Sequence, residues 1–261
     1  MARIIAVANQ KGGVGKTTTS INIAASLALN GSKTLLVDID PQSNATSGLG
    51  VQTNELPSSI YQCLIHGVPP KEAIVQSNIE NLDVLPATAD LAGAEVELIQ
   101  LDSRETVLGR VLAPVSNEYS YVLLDCPPAF GLLTINAMAC ASSVLIPMQC
   151  EYYAMEGLGR LMASIERVRR TLNPGINLEG IVLTMFDSRN TLSRQVSDEV
   201  RSHFGDKVFK VVVPRNVTLA EAPSYGRPAV LYNSSSSGAQ AYLDLAKELM
   251  QHGKEGVGER A

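Results

Sequence analysis

Lys11-Gly12-Gly13-Val14-Gly15-Lys16-Thr17 stands between an apolar run, Ile4–Ala8, and a helix-patterned stretch, Thr17–Leu29. Glycines at a strand-to-helix corner let backbone N–H groups turn inward around a phosphate, and the helix N-terminus adds partial positive charge. Lys16 is placed to neutralise β- and γ-phosphate oxygens, and the Thr17 hydroxyl to ligate Mg²⁺. The stretch matches the phosphate-loop pattern G-x-x-x-x-G-K-[ST] with its first glycine displaced. An ordinary turn needs one or two glycines, not two lysines and a Thr run in register. The loop through Thr18 therefore reads as a nucleotide site.

Outward from the loop, short β-branched runs alternate with longer helical patterns, the rhythm of a parallel sheet covered on both faces. The expected strands are Ile4–Ala8, Thr34–Ile39, Leu82–Pro86, Tyr121–Asp125, Ser143–Pro147, Leu178–Thr184 and Val208–Val213. The expected helices are Thr17–Leu29, Leu132–Ala141, Met155–Leu172, Leu192–His203 and Ala239–Met250, with Asn173-Pro174-Gly175 stopping the third. Residues 50–80 read as short helices over one sheet edge. The fold class is α/β: a single doubly wound, mostly parallel sheet with helices on both faces, spanning residues 1–250, with 251–261 as a Gly- and charge-rich flexible tail.

Two strand ends carry acid. Asp38 and Asp40, in Leu36-Val37-Asp38-Ile39-Asp40-Pro41-Gln42, share one face by the period-2 rule, at the strand end where parallel sheets bind ligands. Asp125 closes the apolar run Tyr121-Val122-Leu123-Leu124 in the Walker B form, which suits a metal held through water. Pro127-Pro128 stiffens the loop that follows.

The chain has 261 residues, 45% of them apolar and 18% charged, enough for a sizeable core. No apolar run reaches the length of a membrane span, and the N-terminal one is too short for a signal peptide, so the expected location is cytoplasmic. Cys63, Cys126, Cys140 and Cys150 form no CxxC or Cys/His pattern and read as reduced thiols. The net charge is −5, unevenly spread: residues 1–156 hold 7 Lys/Arg against 15 Asp/Glu, and residues 157–261 hold 14 against 11. A basic back half is a local field that suits anions.

Lys11 departs from the standard loop, and KGGxGKTT resembles the deviant Walker A family, which includes ParA and Soj partitioning proteins, MinD, the nitrogenase iron protein and ArsA. The stretches Gln149–Leu158, Leu183–Arg189, Pro214-Arg215-Asn216-Val217 and Glu221-Ala222-Pro223-Ser224 resemble the ParA/Soj group, so that the likeness runs from residue 2 to about 250. The resemblance implies a slow ATPase that forms a homodimer when ATP-bound, binds double-stranded DNA non-specifically on the nucleoid, and is stimulated by a ParB-like centromere-binding partner. It implies that Lys11 reaches the partner subunit's nucleotide, that Lys16 and Asp40 complete the catalytic set, and that Asp40 orients the attacking water. Asp38 is implied to support Lys16 or the metal shell with Thr17 and Asp125. Met185, Pro214, Arg215 and Asn216 are implied to hold adenine.

For DNA, the family position is Arg189, joined by Arg215, Arg227 and Lys247, with Arg160, Arg167, Arg169, Arg170, Arg194, Arg201 and Lys207 as further basic candidates. Many relatives carry arginine where this chain has Thr218. The alternative is a MinD-like membrane-surface switch, which needs a basic amphipathic C-terminal helix. The glycine-broken residues 251–261 speak against it, and an iron–sulfur role lacks cluster cysteines.

Overall fold

A computed structural model of the chain describes residues 2–258, with side chains to residue 252. Seven strands form one sheet: β1 (Arg3–Val7), β2 (Thr34–Asp38), β3 (Val75–Gln76), β4 (Leu82–Leu85), β5 (Tyr121–Asp125), β6 (Ser143–Gln149) and β7 (Asn177–Thr184). Their order across the sheet is β3-β4-β2-β5-β1-β6-β7, and every pairing is parallel except β3 with β4. From central β1 the chain steps over β5 to reach β2, and later strands fill the other side. Such a reversal of winding opens a crevice at the carboxyl ends of the strands.

The sheet is apolar on both faces because helices cover both. Ala6, Leu35, Val37, Val122, Leu124, Val144 and Ile146 face one core. Ile5, Val7, Leu36, Leu123 and Leu145 alternate with them and face the other. The first core takes α3 (Ile60–Ile65), α5 (Leu91–Glu97), α6 (Val107–Ser116), α7 (Leu132–Cys140), α8 (Ala154–Thr171) and α9 (Thr191–Phe204). The second is roofed by α1 (Lys16–Leu29) and α12 (Ser237–Gly258), whose buried faces meet through Ile21, Ala24, Ala28, Tyr242, Leu245 and Leu249. The shorter helices are α2 (Asn44–Gly48), α4 (Pro70–Ala73), α10 (Val217–Glu221) and α11 (Ala229–Tyr232).

The expected strand at Val208–Val213 is not one. Phe209 and Val213 donate N–H bonds to the Ile181 and Leu183 carbonyls of β7 at 3.0 and 2.8 Å, so the segment does run beside the sheet edge. Between them, however, the N–H groups of Lys210 and Val211 go to the Glu248 carboxylate of α12, at 2.7 and 3.1 Å. A side chain has taken two donors, and only isolated bridges at Val208 and Pro214 remain. At Gly180 an added Cβ would lie 2.5 Å from Phe209, so the bare backbone there lets that ring seat against β7.

Residues 50–80 hold a short 3-10 turn (Thr53–Glu55), α3 and α4, together with the edge strand β3 that the sequence reading lacked. Two unforeseen helices, α5 and α6, precede β5; Pro114 lies inside α6, where proline ordinarily argues for a break. The last helix runs to Gly258 rather than stopping at Met250. Residues 259–261 lie outside the described part, as do the side chains from 253, and with them much of the expected flexible tail. Among the described residues, no helix is long and apolar enough to cross a membrane.

Candidate nucleotide site

β1 ends at the centre of the sheet, and the chain turns through residues 8–15 into α1. Gly13 and Gly15 have φ of 74° and 85°, the left-handed region that a side chain would strain. Gly15 caps α1 with no side-chain acceptor, leaving the helix's first N–H groups directed into the loop. Two neighbours pin the turn. Asn9 donates to the Pro147 carbonyl of β6 at 2.8 Å and accepts from the Lys11 N–H at 3.0 Å, and Thr184 at the end of β7 donates to the Val14 carbonyl at 2.8 Å. Neither residue stood out in the sequence, because each acts through a main-chain atom far away along the chain.

Lys16 is buried, and its Nζ donates to the Lys11 carbonyl at 3.1 Å. Burial pushes its ammonium below the ordinary lysine value, an effect that Asp125, Cys126 and Asp40 partly offset. The Lys11 side chain lies outside this pocket, exposed, and ion-paired with Glu151 in the loop between β6 and α8. Gly12 beside it is exposed, and a Cβ there would touch nothing within 4 Å.

The parallel register sets Asp38 opposite Asp125, and both belong to the sheet face covered by α1. Asp125 is fully buried and accepts from Thr17 Oγ1 at 2.9 Å on one oxygen and from Ser20 Oγ at 2.7 Å on the other. Its carboxyl is pushed well up, first by burial and then by the charge of Asp38, with the two hydroxyls pulling the other way. Burial likewise raises Asp38, against hydrogen bonds from Thr46 and the Asp40 N–H.

Asp38 is occupied by its own loop. Its oxygens accept from the Asp40 N–H (3.1 Å), the Thr46 N–H (2.8 Å) and the Thr46 hydroxyl (2.7 Å), so it anchors the loop after β2 and gives nothing to Lys16. Asp40, buried just beyond the end of β2, accepts from the Gln42 N–H at 3.0 Å.

Met185, Pro214, Arg215 and Asn216 come together as expected. With Gly15, Thr18, Thr184, Leu219 and Tyr242 they line a cavity of about 190 Å³ beside the phosphate loop. Met185 stands in the left-handed region at φ 48°, where the chain turns off β7. Tyr242, unforeseen, joins α12 to α1 through a 2.9 Å hydrogen bond with Thr19.

The basic candidates divide. Arg189 is held by Asp187 and Lys247 by Asp244, while Arg160 pairs with Glu156 and both Arg169 and Arg170 with Glu166. Arg215 and Arg227 have no ion pair among the described residues, and Arg227 lines a polar cleft of about 740 Å³ with Ser47, Gln52, Asn78 and Tyr225. The same holds for Arg167, Arg194, Arg201 and Lys207.

A parallel sheet whose central strand feeds a glycine loop, a buried lysine and a hydroxyl held against a strand-end aspartate defines a P-loop NTPase fold. The family model for the AAA domain matches residues 2–178. The chromosome partitioning protein ParA of Myxococcus xanthus is 53% identical over 96% of this chain and 89% of its own. The sporulation initiation inhibitor protein Soj of Bacillus subtilis is 53% identical over 97% of this chain and 100% of its own. A crystal structure of cobyrinic acid a,c-diamide synthase from Mycobacterium smegmatis, with bound ADP and magnesium, superposes at a TM-score of 0.85 with 39% identity, covering 98% of this chain and 97% of that one. The cell division ATPase MinD of Pyrococcus furiosus reaches 0.80 at 25% identity, over 96% and 99%. The chain belongs to the ParA/Soj family of chromosome-partitioning proteins.

Proposed function

We propose that this chain is a partitioning ATPase: it binds ATP with Mg²⁺, closes as a homodimer, holds double-stranded DNA without sequence preference, and releases it when a ParB-like centromere-binding partner stimulates hydrolysis. The observation that carries the reading is Lys11, a second loop lysine that is turned away from its own phosphate pocket and exposed beside an unobstructed Gly12. A cation so placed serves a neighbouring subunit's phosphates better than its own. Relatives near 50% identity favour partitioning over the MinD-type alternative, whose likeness here is one of fold.

The residues suit the nucleotide. Backbone N–H groups of Gly12–Thr18 and the Lys16 ammonium take the phosphates, and the apolar cavity at Met185 takes a flat base. Thr17 and Asp125 offer hard oxygen donors of the kind magnesium prefers. No group of three metal-binding side chains occurs among the described residues, so a cation draws its other oxygens from phosphate and water, as magnesium does. When bound, Mg²⁺ neutralises charge that develops on the phosphoryl oxygens. Asp40 holds the attacking water, and Lys11, released from Glu151, stabilises the partner's transition state.

The test is co-sedimentation with duplex DNA in ATP, in ADP and without nucleotide. Binding is expected with ATP alone, independent of sequence and falling steeply with salt. Arg227→Ala should lower the salt slope by about 1 for each phosphate that the arginine neutralises in the parent chain. DNA binding as strong in ADP as in ATP would sink the reading.

A further inference from the structure

Ser20 lies three residues beyond Thr17, on the same side of α1, and no known role of the loop calls for it. Both hydroxyls meet the Asp125 carboxylate, but at different oxygens. Thr17 Oγ1 donates to Oδ2 at 2.9 Å, and Ser20 Oγ donates to Oδ1 at 2.7 Å. Ser20 and Asp125 both have 0% exposure, so water does not compete for that bond.

A buried helical serine ordinarily returns its hydroxyl to the carbonyl four residues back. That acceptor is present: the Lys16 carbonyl lies 3.1 Å from Ser20 Oγ. The Asp125 oxygen is nearer, and once that carboxyl is ionised, as holding a metal requires, the bond becomes charge-assisted and about twice as strong as a neutral one. The hydroxyl therefore belongs to Asp125. Ser26, buried in the same helix with no partner for its hydroxyl, shows that α1 accommodates a serine without such a bond.

The consequence is orientational. An aspartate's terminal torsion is broad and roughly two-fold, so one anchored oxygen leaves a carboxylate free to rock. Thr17 alone makes a weak anchor, because its oxygen is also the candidate metal ligand. Ser20 has only the Lys16 carbonyl as a competing acceptor, and no place in the metal shell. It fixes Oδ1 and so leaves Oδ2 to Thr17, the oxygen that would be free to help hold Mg²⁺.

We infer that Ser20 is a positioning residue for Mg²⁺, acting through Asp125 and touching neither metal nor nucleotide. The inference rests on the reading of Thr17 and Asp125 as the metal-holding pair.

The experiment titrates Mg²⁺ into the ADP complex of the full chain and of Ser20→Ala and Ser20→Thr, with ADP affinity in chelator measured alongside. Losing one hydrogen bond to a charged group costs about 1.5–3 kcal/mol, so the Mg²⁺ midpoint of Ser20→Ala should rise on the order of tenfold or more. ADP affinity in chelator should stay as in the parent chain, and Ser20→Thr, which keeps the hydroxyl, should restore most of the midpoint. A parental midpoint in Ser20→Ala would overturn the proposal, leaving Ser20 as core filling. So would an equal loss of ADP affinity in chelator, which marks general damage to the loop. Failure of the underlying reading looks different: the parent chain itself would then show no Mg²⁺ dependence, and the proposal would fall with it.

Discussion

Asp38 and Asp40 are two residues apart on one strand end and do different work. Asp38 is sealed at 0% exposure, and its oxygens hold Thr46 and the Asp40 N–H, so its charge shapes the loop after β2. Asp40 is buried too, at 6% exposure, but has only the Gln42 N–H on its carboxylate. The Asp-x-Asp spacing placed both on one face, but alternation cannot tell which of two carboxylates the chain itself will consume. Thr46, eight residues on, makes that choice by folding back. On the proposed reading, the water-orienting role falls to Asp40. Asp40→Ala should bind ATP with near-parental affinity, turn it over at least tenfold more slowly, and accumulate as an ATP-bound dimer. Steady-state hydrolysis at the parental rate would remove Asp40 from the mechanism.

At the level of elements, the segment 208–213 shows why an apolar, β-branched run was misread. Its pattern is that of a strand, and Phe209 and Val213 do bond to β7. What breaks the ladder is Glu248, nearly forty residues later, whose carboxylate collects the N–H groups of Lys210 and Val211. An edge with free N–H groups invites another chain to pair with it, and a carboxylate clamp closes it off. The clamp also ties α12 to the sheet edge, while Tyr242 ties the same helix to α1. Glu248→Ala leaves two partly exposed donors for water to satisfy, so the cost should be about 1 kcal/mol and the melting temperature should fall by about 2–4 °C. An unchanged melting curve would show that the clamp contributes nothing to stability. The helices α5 and α6 were missed for the opposite reason: short patterns, one of them carrying Pro114, fall below what periodicity resolves, and packing against the core completes them.

At the scale of the whole molecule, everything assigned to the nucleotide gathers at the carboxyl ends of β1, β2, β5 and β7, around an exposed loop tip of Lys11, Gly12 and Gly13. A face-to-face dimer brings two such tips together. Gly12 has no internal neighbour within 4 Å of an added Cβ, so Gly12→Val introduces no clash within the chain. It should therefore fold and bind ATP as the parent does, yet sediment as a monomer in ATP. A normal ATP-dependent dimer would show that these tips do not meet.

The sequence by itself determined the phosphate loop, the strand-end acids and the parallel α/β plan. These are local patterns: glycines at a strand-to-helix corner, alternation along strands and a turn-length repeat along helices all act within a few residues. It also brought Met185 and Pro214–Asn216 forward, as a resemblance rather than a derivation, and the fold gathers them around one cavity. Tertiary structure alone decided the rest. It set Ser20 against Asp125 across more than a hundred residues, gave Asp38 to Thr46, turned Lys11 to Glu151, paired Arg189 and Lys247 with acids of their own, and undid the strand at 208–213. Each of these is a choice among several possible partners for one polar group. For the buried Ser20, Asp38 and Asp125 the choice follows from burial and register, because a group removed from water must take whichever partner the packing brings near, while the exposed Lys11, Arg189 and Lys247 pair with the acid that the fold sets beside them.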